Sequence, residues 1–280
     1  MKFGHLKNLE EVDFSLPADP ERNKMVLSGT SLTNVKLFIG STHWIDKAFV
    51  GNLYPPKAKQ NQYLYYYTRA FTTLELNATH YRVFDKKVVE RWELQSEKDF
   101  VFCPKMYQLI SHRYRLKNAI EITQDVAESL SPLKNMLGPV FVQLPDNMNA
   151  DNASQIEKYF TETGHLLPLS LEVRHHSFLN DDFFNMMSHL GTTTCITDVA
   201  GRRDLAHMHL TTPQVLIRFV GNALHKSDFE RIDDWVNRLK YWFDNGLEKA
   251  FFFIHQPDSL AVKPLYDYMK EKCLVQGIRL

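Results

Sequence analysis

The chain has 280 residues, and 33 Lys plus Arg balance 33 Asp plus Glu, so its formal net charge is zero. Apolar residues make up 44%, charged residues 24% and aromatics 12%, which excludes a disordered, collagen-like or low-complexity chain. A neutral total argues against a general polyanion binder. Three scattered cysteines (Cys103, Cys195, Cys273) without a CxxC pair argue against a disulfide framework or a zinc site. The opening MKFGHLKNLEEVDF lacks an apolar leader, and the longest apolar runs, such as AFFFI at 250–254, fall far short of the roughly 20 residues of a membrane span. The default expectation is therefore a cytoplasmic protein with no membrane partner.

Residues 1–34 are polar and broken by Pro17, Pro20 and Gly29, which reads as an N-terminal arm with no core of its own. From 35 onward, short apolar runs alternate with longer amphipathic segments. VKLFIG at 35–40 has the pattern of a buried strand; an aromatic, turn-rich stretch and a helical pattern over 62–70 follow. TTLELN at 72–77 precedes a helix over 86–95, and FVFCPKM at 100–106 precedes a long helix over 119–135. GPVFVQLP at 138–145 leads to a helix over 153–163, and LSLEVR at 169–174 to one over 181–190. TTTCITDV at 192–199 is followed by a loop rich in Arg and His, with no clear helix. VLIRFVG at 215–221 precedes a helix over 229–244, and KAFFFIHQ at 249–256 one over 260–272.

Eight strand-like runs, nearly all followed by a helix, suit a parallel sheet covered on both faces. The repeat predicts a TIM-like (β/α)8 barrel over 35–280 behind the short arm, with an open doubly wound sheet as the rival. No GxGxxG or GxxxxGK[ST] follows the first strand, which weakens a dinucleotide or P-loop reading.

In such a barrel, chemistry gathers where strands end at the C-terminal mouth, and residues two apart share a face. The strand ends supply Glu75 and Asn77, Lys105, Gln143, Glu172 and Arg174, Asp198, Arg218 and His255. Burying so many charged groups costs free energy unless they are partnered, so the ring reads either as a site or as an ion-pair network holding the mouth together. The cofactor stays open. Three acids alone would suit a divalent metal, but the interleaved Lys105, Arg174 and Arg218 raise the cost of placing one, and none is favoured. The mixed signs fit an anionic group gripped by Arg174 or Arg218, with a neighbouring carboxylate or His255 moving protons.

Weaker signals surround the ring. Trp44 and Tyr54 in STHWIDKAFVGNLYPP (41–56) either pack over the mouth or bind a ligand, with packing favoured. SHRYRLKN at 111–118 joins His112 to Arg113, Arg115 and Lys117, a solvated loop in preference to a nucleic-acid contact. Arg202, Arg203, His207 and His209 form a second basic loop without an acid or Cys to complete a metal set. His175–His176 is expected to split into one mouth-facing and one core-facing ring, and Cys103 and Cys195 to be small core hydrophobes.

The order of IGSTHW (39–44), VGNLYP (50–55), FTTLELNATHYR (71–82), DFVFCPK (99–105), LISHRYRL (109–116), LGPVFVQLP (137–145), LEVRHHSF (171–178), Asp198 and IRFVG (217–221) resembles the YecE-like family of unknown function, domain-of-unknown-function family seventy-two. The resemblance covers about residues 35–272. It implies a TIM-like barrel and no established activity. It also implies that Glu75, Asn77, Tyr81, Arg82, Lys105, His112, Gln143, Glu172, Arg174, His175, Asp198 and Arg218 hold recurrent motif positions. The chain departs from that pattern at Phe219-Val220, where Leu-His is usual, at His255-Gln256-Pro257, where an Asn-rich turn is usual, and at His43, where Gly is usual.

The leading expectation is an enzyme of hydrolase or lyase type acting on a small anionic substrate. Glu75, Glu172, Asp198 and His255 would carry protons, and Asn77, Tyr81, Lys105, His112, Gln143, Arg174, His175 and Arg218 would bind substrate. The alternatives are a nucleic-acid-associated, metal-dependent nuclease-like barrel and a non-catalytic binding barrel. Whether the chain is an enzyme, and its oligomeric state, stay open.

Overall fold

The structure, a computed structural model, describes Gly4, Leu6, residues 8–30 and residues 35–279. The expected junction after residue 34 falls at 31–34, outside the described residues. Eight strands follow one another: β1 (Lys36–Ser41), β2 (Thr73–Leu76), β3 (Val101–Pro104), β4 (Val140–Gln143), β5 (Leu169–Glu172), β6 (Thr193–Asp198), β7 (Gln214–Val220) and β8 (Lys249–His255). The helices are α1 (Asn23–Val26) in the arm, then α2 (Tyr63–Ala70), α3 (Lys86–Gln95), α4 (Ile120–Leu130), α5 (Ala153–Thr163), α6 (Asp181–His189), α7 (Lys226–Asp244) and α8 (Val262–Val275).

The ladders are parallel, in the order β3-β2-β1-β8-β7-β6-β5-β4. The two ends of that order meet. Phe102 bridges Leu137, Lys105 bridges Phe141, and the Met106 N–H donates to the Phe141 carbonyl at 2.9 Å. The sheet therefore closes into a (β/α)8 barrel, and the open-sheet rival is excluded. Pro104 ends the β3 ladder because it has no N–H to give, and Lys105 follows at the rim.

Local chemistry explains the helix bounds. Asp85 caps α3 by accepting from the Lys87 N–H at 2.8 Å, and Asn180 caps α6 by accepting from the Phe183 N–H at 3.0 Å. The helix expected over 119–135 stops as α4 at Leu130. Pro132 lies one residue into the 3-10 turn Ser131–Met136 that replaces its last part. No helix among the described residues is long and apolar enough to cross a membrane.

Two apolar layers result. The larger lies between the sheet and the helices. The smaller fills the barrel with Cys103, Phe141, Cys195, Leu216, Phe251 and Phe253, and Phe38 stacks on Phe251 at 4.9 Å. Cys103 and Cys195 are buried there, as small core hydrophobes should be.

No α-helix joins β6 to β7 among the described residues; a 3-10 turn over Ala200–Leu205 and an extended link run there instead. The N-terminal arm fills this place. Near the mouth, the Gly201 N–H donates to the Gly4 carbonyl at 2.7 Å, and the Arg231 guanidinium lies 4.9 Å from the Phe14 ring. Further down, Asp19 accepts from Arg238 and Trp242 on α7. Arg22 donates to Asn185 and Ser188 on α6 and to the Leu210 carbonyl of the link. The arm thus spans the seam between α6 and α7, packing on the barrel in place of a crossover helix.

Asn23 is the buried peg of this strap. Its Nδ2 donates to the Met208 carbonyl at 2.7 Å and its Oδ1 accepts from the Leu210 N–H at 2.9 Å. Asn23→Ala orphans both partners and is expected to cost roughly 2–4 kcal/mol in urea unfolding. A loss below about 0.5 kcal/mol would show that the arm does not brace the seam.

Candidate functional site

The mouth is organised by one guanidinium. Arg218 on β7 lies in the barrel interior, 1% exposed, at 5.5 Å over the Phe141 ring of the apolar plug. Its Nε and Nη2 donate to the two Glu75 oxygens, each at 2.9 Å, and its Nη1 donates to both Glu172 oxygens at 3.0 and 2.8 Å. One side chain thereby ties β7 to β2 and to β5.

Each glutamate collects further donors. Glu75 accepts from Asn77 Nδ2 at 2.9 Å and meets His255 Nε2 at 2.8 Å. Glu172 accepts from Gln143 Nε2 at 2.9 and 2.8 Å and from Arg174 Nε at 3.0 Å. The Gln143 amide oxygen in turn accepts from Lys105 Nζ at 2.8 Å. The chain of contacts runs His255–Glu75–Arg218–Glu172–Gln143–Lys105, with Asn77 and Arg174 as branches.

The electrostatics follow from burial against partners. Burial is the largest single influence and opposes ionisation of both glutamates, but Arg218 and their other partners together outweigh it. Glu75 is held well below the usual carboxylate range, with His255 helping, and Glu172 is pulled down to about 2, with Arg174 helping. Both are therefore carboxylates at neutral pH. The Arg218 guanidinium is desolvated, yet Glu172 and Glu75 hold its proton more firmly than water would. Burial pulls the His255 imidazole down while Glu75 pulls it up, and the net shift is downward. A neutral ring facing a carboxylate carries its proton on Nε2, which leaves Nδ1 as the lone-pair nitrogen.

Above this locked layer lies a cationic rim. Burial brings the Lys105 ammonium down to about 8, with Glu172 pulling the other way. His112 stands in a π-helical turn over Leu109–Arg113, and its Nδ1 meets Ser111 Oγ at 2.8 Å. Its neighbour His80, edge-on at 4.9 Å, is brought down to about 4 by burial and then by Lys105. His112 is lowered by the same two influences, in that order. Arg174 Nη1 approaches Asp146 at 3.9 Å. The loop that carries His112 continues through Arg115, Leu116 and Asn118, all with positive φ (49°, 68° and 49°), a backbone that non-glycine residues adopt at a cost.

Asp198 does not join this site. It faces the helix layer, where Trp235 Nε1 donates to it at 2.8 Å, Arg231 Nη1 at 3.1 Å, and Arg203 also pairs with it. Register explains the correction. Thr197 pairs with Arg218 and shares its inward face, whereas Asp198 pairs with Phe219, which packs outward on Phe252. Burial pushes the Asp198 carboxyl up, but Arg231 and Arg203 outweigh it.

Three other expectations need adjusting. Arg218 spends its donors on the two glutamates, so it is a strut inside the protein and not a grip for an external anion. Tyr81 is 68% exposed and lies outside the network, beside Trp44. His175 and His176 do not split between mouth and core. They stack on each other at 4.7 Å, half-buried and exposed respectively, and His175 Nδ1 accepts from the Ser177 N–H. Trp44 and Tyr54 pack as expected: Tyr54 donates to the Trp44 carbonyl at 2.7 Å, and Trp44 meets Trp92 edge-on.

Sequence reasoning passed over His80, although it stands in the FTTLELNATHYR stretch. It also passed over Asp146 and the Asp198 partners Arg231 and Trp235, whose helix lies far along the chain. Of the basic loops, Arg113, Arg115 and Lys117 are solvated, while Arg203 donates to the arm carbonyls of Phe14 and Ser15. The departure at the end of β8 builds a brace to the segment that follows β7. The Gln256 side chain accepts from the Ala223 N–H and donates to Asp228, and it lies where any Cβ on Gly221 would have to go. Among the described residues, no three His, Cys, Asp or Glu side chains gather as a metal-ligand set.

Asp198→Asn weakens the pairing of Arg231 and Arg203 outside the site. It is expected to lower the free energy of urea unfolding by about 3 kcal/mol. A loss below about 0.5 kcal/mol would show that Asp198 does not brace the helix layer.

Comparisons with known proteins agree with this architecture. The family model described as "Protein of unknown function DUF72" matches residues 38–273. The UPF0759 protein YecE of Escherichia coli K12 is 27% identical over 215 residues, covering 69% of this chain and 78% of its own. The UPF0759 protein YunF of Bacillus subtilis is 26% identical over 156 residues, covering 53% and 54%. Crystal structures of DUF72 family proteins from Enterococcus faecalis V583 (TM-score 0.65, 19% identity, covering 85% of this chain and 97% of that one) and Thermotoga maritima (TM-score 0.65, 18% identity, covering 84% and 99%) share the fold. With the family model spanning nearly the whole barrel, this chain belongs to the DUF72 family of TIM-like barrel proteins.

Proposed function

We propose that the chain is an enzyme that binds a small anionic substrate at the C-terminal mouth, through Lys105 and Arg174, and transfers a proton with His255. The observation that carries this reading is Lys105. Its ammonium is buried, donates to one neutral amide oxygen, and forms no ion pair among the described residues. A buried cation so poorly compensated gains most from a ligand that brings a negative charge. Arg174 adds a second positive charge to this rim, and His112 and His80, held neutral, are able to offer an anion N–H hydrogen bonds but no charge.

The acids are poor candidates for proton transfer. Glu75 and Glu172 are held as carboxylates by Arg218, so neither offers a proton near neutral pH nor readily takes one. Glu75 instead orients His255, whose Nδ1 is left as the base. Glu172 and Gln143 position Arg174 and Lys105.

Calorimetry with sulfate, which keeps its charge across the working range, tests the binding step. Affinity is expected to be level below about pH 8 and to fall about tenfold per unit above it, as Lys105 loses its proton. Lys105→Met should lose at least tenfold, and Lys105→Arg should bind without the break. Sulfate binding that ignores both pH and Lys105→Met would defeat the reading.

A further inference from the structure

One concavity next to the mouth touches the network just described only through Asn77. A groove of about 340 Å³ runs between the loop after β1 and the turn after β2; its walls include Trp44, Leu76, Phe84 and Trp92, and Tyr81 and Arg82 stand on its rim. We propose that this groove seats an aromatic ring of the substrate whose anionic group lies on Lys105 and Arg174, so the substrate class is a ring joined to an anion through a short spacer. The inference rests on the anion reading above and narrows it.

Four observations carry it. First, the groove falls within the range of small-molecule sites, which are mostly apolar with a few polar groups. Trp44 and Phe84 each meet Trp92 edge-on, with ring centroids 5.7 and 4.8 Å apart, so the walls are a braced aromatic cluster. Second, the rim is unusually apolar for a surface exposed to water. Ile45 is 55% and Tyr81 68% exposed, and both border this groove. Arg82 adds a guanidinium 4.2 Å from the Phe84 ring, a flat cation beside the groove.

Third, the groove adjoins the charged site through one turn. The 3-10 turn Asn77–His80 is the partition. Its Asn77, Ala78 and the following Tyr81 line the groove, whereas His80 meets His112 and Thr79 Oγ1 donates to the Lys105 carbonyl at 2.8 Å. The Lys105 N–H donates to the Leu76 carbonyl at 3.1 Å, so the two sites begin on adjacent strands, about 4.8 Å apart. Fourth, Asn77 belongs to both: it borders the groove and donates to Glu75 of the network. A ligand in the groove therefore touches the residue that helps orient the His255–Glu75 pair.

The occupant follows from these chemistries. An apolar wall with aromatic edges recognises a ring, and the turn between groove and Lys105 calls for a spacer before the anion. The test compares methyl phosphate with phenylalkyl phosphates of increasing spacer length by calorimetry near neutral pH. At one spacer length the ring is expected to tighten binding about tenfold or more over methyl phosphate. Tyr81→Ala, which alters an exposed side chain, and Trp44→Leu should each erase most of that gain and leave methyl phosphate affinity as it was. If methyl phosphate binds and no phenylalkyl phosphate binds tighter, the groove assignment falls and the anion site stands. A gain that survives both substitutions also overturns it. If neither kind of phosphate binds, both readings fall together.

Discussion

The barrel mouth depends on a single desolvated guanidinium held between two carboxylates. Glu75 and Glu172 are each 0% exposed, and burying two such charges without compensation would be prohibitive. Arg218 makes it tolerable by matching its planar fork to Glu75 through two parallel bonds and turning its remaining edge to Glu172. The rest of the site is placed by what the glutamates have left to accept. Asn77 and His255 attach to one, Gln143 and Arg174 to the other, and Lys105 attaches through Gln143. Phe141, beneath the guanidinium, closes the interior to water from below.

This arrangement divides the charged residues into two layers with different work. The lower layer is internally neutralised and rigid, and its carboxylates have been moved out of the range where they exchange protons. The upper layer is cationic or made of neutral imidazole and faces the opening. The expected ring of equivalent acids and bases thus becomes a neutralised scaffold and a cationic rim. The strained loop carrying His112 and the β7–β8 brace through Gln256 belong to that rim as well. Positive φ at non-glycine residues falls there at Arg115, Leu116, Asn118, Ala223 and Leu224, and at the other end of the barrel at Lys134 before β4.

Much of this was legible in residue order. The helices at 86–95 and 153–163 match α3 and α5, because amphipathic spacing marks both and the Asp85 cap marks the start of α3. The eight apolar runs map onto eight strands, since each is bracketed by turns. Facing was the difficult part. Strands buried on both sides carry no polar–apolar alternation, so nothing in TTTCITDV says whether Thr197 or Asp198 looks inward. The answer lies in register with β7, a long-range fact. Arg218 was readable as a charge, but its partners stand 143 and 46 residues away, and no local rule joins them. The arm was readable only as polar and broken, because its place in the fold is set by the helix that the barrel lacks.

That substitution has a kinetic side. The arm leaves the ribosome ahead of every strand, yet the groups that hold it arrive much later: the Met208 carbonyl lies 185 residues after Asn23, and Trp242 lies 223 after Asp19. Loop closure over such spans is slow to be repaid by contacts. The arm's first anchors, on α6 and the β6–β7 link, follow it by more than 150 residues, and its full set exists only once α7 forms the far wall. Its docking is therefore a late event that comes between the making of α7 and the closing of the cylinder by β8, which still has to enter between β1 and β7.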